Sequence, residues 1–348
     1  MNQSGDQNKN FPMIETIRAA ALIVLHAILM MTPVLASDNG DLYESDADRF
    51  RVTVDDSVTL LVPDEDRELP LRIVYPDGEG PYPVIVLSHG TFSSGRRYDA
   101  VAGYWAARGY VVMLPDHVDA NYGVIPKKNE DMFRVSRLRV ADLTLIADSL
   151  TEIESRLPAL AGRLDHSKLV VAGHSFGTQI AMFVTGMRMR NPTNGDITAS
   201  DETRFGTLIL LSDPGKMALM PSETWTGSGV PTLLSTGTED YGLMGDGRRA
   251  TEYENEILSR ADNASVSRYL LMIERGDHYF GGLIHKDTGT EPDHEGLAIF
   301  NAISTAFLDA YVKEDQDARE FLQAVDLQAE THGRAALTSH GSAMQSND

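Results

Sequence analysis

The chain of 348 residues has no cysteine. Disulfides, thiolate nucleophiles and cysteine-ligated metals are therefore excluded, and stability must come from the size of the core. Cations are scarce: 30 Lys and Arg stand against 51 Asp and Glu, a formal net charge of −21. Such a charge repels nucleic acid and anionic lipid surfaces, and leaves a neutral or cationic small molecule as the better-suited partner. Neither H-E-x-x-H nor G-x-x-x-x-G-K-[ST] occurs, so the sequence calls for no metal and no organic cofactor. Nothing in it bears on oligomeric state. Long apolar runs are also rare. The one candidate, AAALIVLHAILMMTPVLA from Ala19 to Ala36, has an unbroken apolar part shorter than the roughly 20 residues of a membrane span. It ends in Val34-Leu35-Ala36, a small-residue pattern that predicts a signal peptide over 1–36, cut after Ala36. The expected product is a secreted or periplasmic bacterial protein with no remaining span. The removed part holds Asp6, Lys9, Glu15 and Arg18, so the mature chain keeps the same net charge.

What is present alternates. FRVTVDD, SVTLLVP and LRIVYP read as β-branched strands joined by turn residues. YPVIVLS (82–88), YVVMLP, LVVAG, TLILLS (207–212), PTLLST (231–236) and RYLLMIE (268–274) are apolar runs of the kind buried on both faces of a sheet. Helical periodicity appears between them: Val101, Ala102 and Trp105, then Leu143, Ile146, Leu150, Ile153 and Leu157, then Ile180, Val184 and Met187. A last helix is predicted over Glu295 to Val312, and 314–328 adds a short acidic one. Strands alternating with helices predict a single α/β domain over 37–328. Its sheet would be doubly wound and mostly parallel, with an antiparallel N-terminal edge and no large cap. The small polar tail, 329–348, reads as disordered.

In such a sheet, ligands sit at the carboxyl ends of the strands. Gly173-His174-Ser175-Phe176-Gly177 follows LVVA and precedes TQIAMFVTGM, so G-x-S-x-G stands between a strand and a helix. That context predicts Ser175 as a nucleophile on a strained turn, with glycines where side chains would clash. The alternative is a serine that caps the helix. The N–H of Phe176 would then face a developing oxyanion, and the second donor is expected from SHGT, at Thr91 or next at Phe92. His89 and His174 read as orienting or structural. In the order Ser…Asp…His, the base is expected after the last strand, at His278, with His285 as rival. The acid is Asp240, in STGTEDYG, or Asp213, in LLSDPG. Phe92, Trp225 and Tyr241, with Tyr122, Met132 and Met217, can line a modest apolar pocket for short or medium esters.

Together VIVLSHG, ARGYVVMLPDH, LVVAGHSFG, PTLLSTGTED and GDHYFGG resemble the α/β-hydrolase superfamily over residues 50–312. Within it they are similar to bacterial dienelactone-hydrolase-like esterases and platelet-activating-factor acetylhydrolases. The resemblance implies a serine esterase with Ser175, His278 and donors at Phe176 and Thr91. It leaves the acid open: the acetylhydrolases place it where Asp213 stands, most relatives where Asp240 stands. Dienelactone hydrolases proper use a cysteine, which this chain lacks. Thr178 stands where many relatives have a second glycine. The expected activity is carboxylic ester hydrolysis, with amide cleavage or a non-catalytic binding role as alternatives.

Overall fold

The computed structural model describes residues 42–43, 50–63, 65–212, 219, 229–241 and 266–341. The expected signal peptide lies outside the described residues, as do Asp213, Met217 and Trp225. In chain order the strands are β1 (Val52–Asp55), β2 (Thr59–Val62), β3 (Arg67–Pro76), β4 (Tyr82–Ser88), β5 (Val111–Pro115) and β6 (Leu164–His174). They continue with β7 (Met189–Arg190), β8 (Ile197–Thr198), β9 (Phe205–Leu211), β10 (Thr232–Gly237), β11 (Arg268–Ile273) and β12 (Ala335–His340). The helices are α1 (Asp99–Ala106), α2 (Asn129–Asp148), α3 (Leu150–Arg156), α4 (Phe176–Val184), α5 (His294–Tyr311), α6 (Gln316–Ala324) and α7 (Leu327–Glu330).

Among the described residues the main sheet runs β1-β3-β5-β4-β6-β9-β10-β11-β12, with β2 also paired to β3. The six strands from β5 to β11 are parallel. β1, β2 and β3 form the expected antiparallel edge. The apolar runs are two interleaved faces, because successive strand side chains point to opposite sides. Val84 and Val86 of β4 join Leu143, Ile146, Ile180 and Phe183 in one core. Ile85 and Leu87 join Val101, Trp105, Ile303 and Phe307 in the other. Helices cover both faces, so the strands need no polar side, as their composition predicted.

Two elements differ from expectation. The helix whose apolar period runs from Leu143 to Leu157 starts at Asn129 and is divided at Ser149, which leaves helical geometry at φ −103°, ψ 10°. Leu150 and Ile153 stay buried beyond the break, so the apolar period reads straight through it. The tail departs further: Ala335–His340 forms β12, antiparallel to β11, and only Ser342–Asp348 lie outside the described residues. A strand at the sheet border needs mainly a backbone partner, and a small polar segment supplies one without any apolar pattern. Arg334 anchors it, its Nη2 2.6 Å from both carboxylate oxygens of Asp293, the residue that caps α5. No helix among the described residues is long and apolar enough to cross a membrane.

The strand order places the site. β5 lies on one side of β4 and β6 on the other, so the loops after β4 and β6 leave toward opposite halves of the sheet. A crevice opens at the carboxyl ends where the order reverses. His89–Phe92 follow β4 and Ser175 follows β6. Asp240 follows β10 and His278 follows β11.

Candidate active site

Ser175 sits between β6 and α4 at φ 53°, ψ −124°. A residue with a Cβ pays for that conformation, so its presence here requires compensation from the surroundings. The glycines explain how the turn fits. A Cβ on Gly173 would strike the carbonyl oxygen of Gly177, and one on Gly177 would strike the carbonyl oxygen of Ser88. The obstacles are backbone atoms that cannot swing aside. Gly177→Ala is therefore expected to cost about 3 kcal/mol or more, at the upper end of overpacking penalties. A thermal melt close to wild type would show that the packing is looser. The Ser175 N–H is anchored on the Leu211 carbonyl at 3.0 Å. Thr178, the departure from the family pattern, returns its hydroxyl to the Ser175 carbonyl at 2.6 Å. The Ser175 side chain accepts no bond from α4, so it is not a cap.

The structure brings His278 to Asp240: Nδ1 lies 2.7 Å from Oδ1. A carboxylate only accepts, so Nδ1 carries the proton and Nε2 keeps its lone pair. Nε2 is buried and has no hydrogen-bond partner among the described residues. The other oxygen of Asp240 accepts from Thr236 Oγ1 at 3.0 Å, and the carboxylate is fully buried. Two glycines let the acid and base turns touch. A Cβ on Gly237 would meet the carbonyl oxygen of Gly276, whose neighbours already bond across: Glu239 N–H reaches the Gly276 carbonyl at 3.0 Å. Gly276 thus serves the close approach of the two turns. Asp277 stiffens the base loop by accepting the N–H groups of Tyr279 and Gly281 at 2.8 and 2.9 Å.

The base loop is also tied to the serine's neighbour. His174 Nε2 donates to the His278 carbonyl at 2.9 Å, which leaves its Nδ1 to accept from the Tyr98 hydroxyl, also at 2.9 Å. Tyr98 in turn accepts from the Gly90 N–H at 2.9 Å. His174 and Tyr98 therefore link the loops after β4, β6 and β11. Gly90 is required here because a Cβ would meet His285 Nδ1 at 2.7 Å and His174 Nδ1 at 3.0 Å. His285 lies behind this network, 3.3 Å from the Tyr98 hydroxyl and stacked on Tyr279.

On the other side of the crevice, the Phe92 N–H bonds Asp119 Oδ2 at 3.3 Å. The N–H groups of Thr91 and Phe176 have no partner among the described residues. Thr91 is thus the free donor of the two offered by the sequence. Phe92, at φ 62°, stacks on exposed Tyr122 with centroids 5.1 Å apart. Tyr241 is exposed beside Asp240, with its hydroxyl 3.4 Å from Glu239.

A second Ser-His-Asp set escaped the sequence reading. Ser88 Oγ lies 3.0 Å from His117 Nε2, and His117 Nδ1 lies 2.8 Å from Asp142 Oδ2. Its geometry matches a catalytic triad better than the first, yet its role differs. Ser88 ends β4 without the positive φ of Ser175, Ser88 and Asp142 are fully buried, and every one of these polar atoms is bonded. Arg67 completes the set at 2.6 Å from Asp142. Ser88, His117 and Asp142 are fully bonded within the core, with only Arg67 Nη1 unpartnered among these side chains, whereas the imidazole of His278 keeps an unused lone pair on Nε2. The acidic residues after β5 are likewise engaged: Asp116 accepts from the Gly95 N–H at 2.7 Å, and Asp119 pairs with Arg139.

Burial, chiefly, holds His89, His117 and His174 below the ordinary imidazole pKa, and lowers His285 to about 3. In the unfolded chain each titrates near its ordinary value of about 6.5. Below that pH the unfolded state binds protons that the folded state refuses, so stability falls with pH from there down toward the folded values. The melting temperature is expected to drop between about pH 6.5 and pH 4.5, and His285→Gln to flatten that drop. An equally steep drop in the variant would contradict the assignment.

No curated protein matches the chain. The chlorophyllase family model matches residues 48–202. The matched stretch contains the loop after β4 and the elbow with Ser175, and ends before Asp240 and His278. That family is one of serine ester hydrolases of the α/β-hydrolase type, which supports a hydrolase. This match, over less than half of the chain, and a mostly parallel sheet covered by helices on both faces give the chain an α/β-hydrolase fold.

Proposed function

We propose that the protein is a secreted carboxylic ester hydrolase that works through an acyl-enzyme on Ser175. The observation that carries this reading is the buried, unpartnered Nε2 of His278, backed by Asp240, on a residue whose carbonyl is held by His174, the neighbour of the elbow serine. A buried polar nitrogen left unpaired costs about 1–3 kcal/mol, and a base awaiting a substrate-coupled proton gives that cost a purpose. His278 takes the Ser175 proton as the oxygen attacks the ester carbonyl. The N–H groups of Thr91 and Phe176 receive the oxyanion, aided by the positive end of α4. The imidazolium protonates the leaving alcohol, and a water activated by the same nitrogen releases the acid. Asp240 stabilises the imidazolium and holds the tautomer. Phe92, Trp225 and Tyr241 are assigned to the substrate, which favours short to medium acyl groups.

The test is covalent labelling with a fluorophosphonate, expected for the wild type and lost in Ser175→Ala. An unlabelled wild type would sink the hydrolase reading. A panel of p-nitrophenyl esters, peptide anilides and chlorophyll then separates short esters from amides and from the family's namesake substrate. Faster cleavage of the anilides would favour an amidase. Secretion is checked by the N-terminus of the exported protein, expected at Ser37.

A further inference from the structure

We propose that the buried pair Arg139–Asp119 positions the oxyanion donors, acting on Thr91 through both of its peptide planes and on Phe176 through its ring. This inference rests on the ester-hydrolase reading above. Arg139 belongs to α2, and both side chains are fully buried. Its Nε and Nη2 grip the two oxygens of Asp119 at 2.7 and 2.6 Å. Nη1 donates to the His89 carbonyl at 2.6 Å, and Nη2 lies 3.4 Å from the Gly90 carbonyl.

The Gly90 carbonyl is the informative contact. In a planar trans peptide the C=O and the following N–H point in opposite directions. Holding the Gly90 carbonyl toward Arg139 therefore aims the Thr91 N–H away from it. His89 helps: its Nε2 accepts the His117 N–H at 3.1 Å, so Nδ1 carries the proton and donates to the Gly90 carbonyl at 2.7 Å. The cation next to that carbonyl also polarises the peptide and strengthens its N–H as a donor. The next plane is fixed by the same pair, because Asp119 Oδ2 accepts the Phe92 N–H. The guanidinium lies 4.7 Å from the centroid of the Phe176 ring, so it also packs the residue bearing the second donor. A buried ion pair is weak evidence of stabilisation, since desolvation offsets most of its attraction. Its contacts with His89, Gly90 and Phe92 of one loop point to orientation instead.

Arg139→Lys keeps the charge and loses the fork, and Asp119→Asn keeps the shape and loses the charge. The readouts are kcat and KM on p-nitrophenyl acetate, and inhibition by a trifluoromethyl ketone against its methyl ketone parent. The trifluoromethyl adduct carries an oxyanion, and the parent binds as a neutral ketone. Expected is a fall in kcat of about 10–100-fold with KM within about twofold, and a parallel weakening of the trifluoromethyl ketone alone. Folded variants with kcat and ketone affinity near wild type would overturn the proposal, and so would equal weakening of both ketones. If neither variant folds, the wild-type Thr91 amide decides: its proton should move downfield on binding the trifluoromethyl ketone, and a stationary resonance overturns the proposal. Fluorophosphonate labelling of the wild type tests the hydrolase reading separately. A labelled wild type with unimpaired variants removes only the role of the ion pair.

Discussion

Ser175→Gly is expected to melt higher than the wild type while losing nearly all turnover. The serine holds φ 53°, ψ −124°, a conformation that costs a residue with a Cβ about 1–3 kcal/mol. Glycine adopts it without that penalty, at an entropic cost of roughly 0.5–1 kcal/mol in the unfolded chain. The side chain gives up little, because its hydroxyl bonds nothing among the described residues. The balance is a gain of about 1 kcal/mol, or about 2 °C in a domain of this size. Loss of the proposed nucleophile should lower kcat by about 10⁴–10⁶-fold, since the members of a Ser-His-Asp set act as a unit. Calorimetry and p-nitrophenyl acetate hydrolysis on one preparation measure both effects. A variant that melts well below the wild type would show that the elbow stores no strain. Substantial remaining turnover would remove Ser175 from the chemistry.

The second large effect is expected at Asp240. Asp240→Asn keeps the volume and lets Thr236 Oγ1 keep an acceptor, so the fold should survive. The new amide can donate to Nδ1 of His278, which would shift the imidazole proton to Nε2. A protonated Nε2 cannot take the proton of Ser175. The expected loss is about 10⁴-fold in kcat with little change in KM, the size that a wrong tautomer produces in a comparable set. Asp213→Asn, at the other acid offered by the sequence, is expected to stay within about tenfold of wild type, the range of a residue that shapes a pocket. Parallel kinetics on the two variants decide between them. A near-normal rate for Asp240→Asn would transfer the role to Asp213.

Ser175, His278, Asp240, Phe176 and Thr91 were all legible as candidates before any coordinates, for reasons local to the chain. A strained strand-to-helix turn demands glycines two residues on either side, and apolar runs mark the strand ends where such turns sit. Chain order then narrows the base and acid to a few loops. The same local logic failed at β12, where backbone pairing with β11 mattered more than composition. It was also blind to the pairing of Arg139 and Asp142 on α2 with Asp119 and His117 in the loop after β5, two segments joined by no spacing pattern. Their burial becomes meaningful only when α2 is packed beneath the loops after β4 and β5.

Local sequence is enough to specify the alternation of elements, the two-faced burial of the strands and the elbow at Ser175. Each follows from interactions within a few residues: side-chain period, turn sterics and apolar run length. Only the tertiary structure decided that His278 pairs with Asp240, that Gly237 and Gly276 exist to let their turns touch, and that Thr91 rather than Phe92 keeps a free N–H. It also separated two His-Asp pairs, His117–Asp142 with its imidazole bonded at both nitrogens and His278–Asp240 with an open nitrogen. Those distinctions depend on which hydrogen-bonding groups are already used, and the partners that use them come from distant parts of the chain.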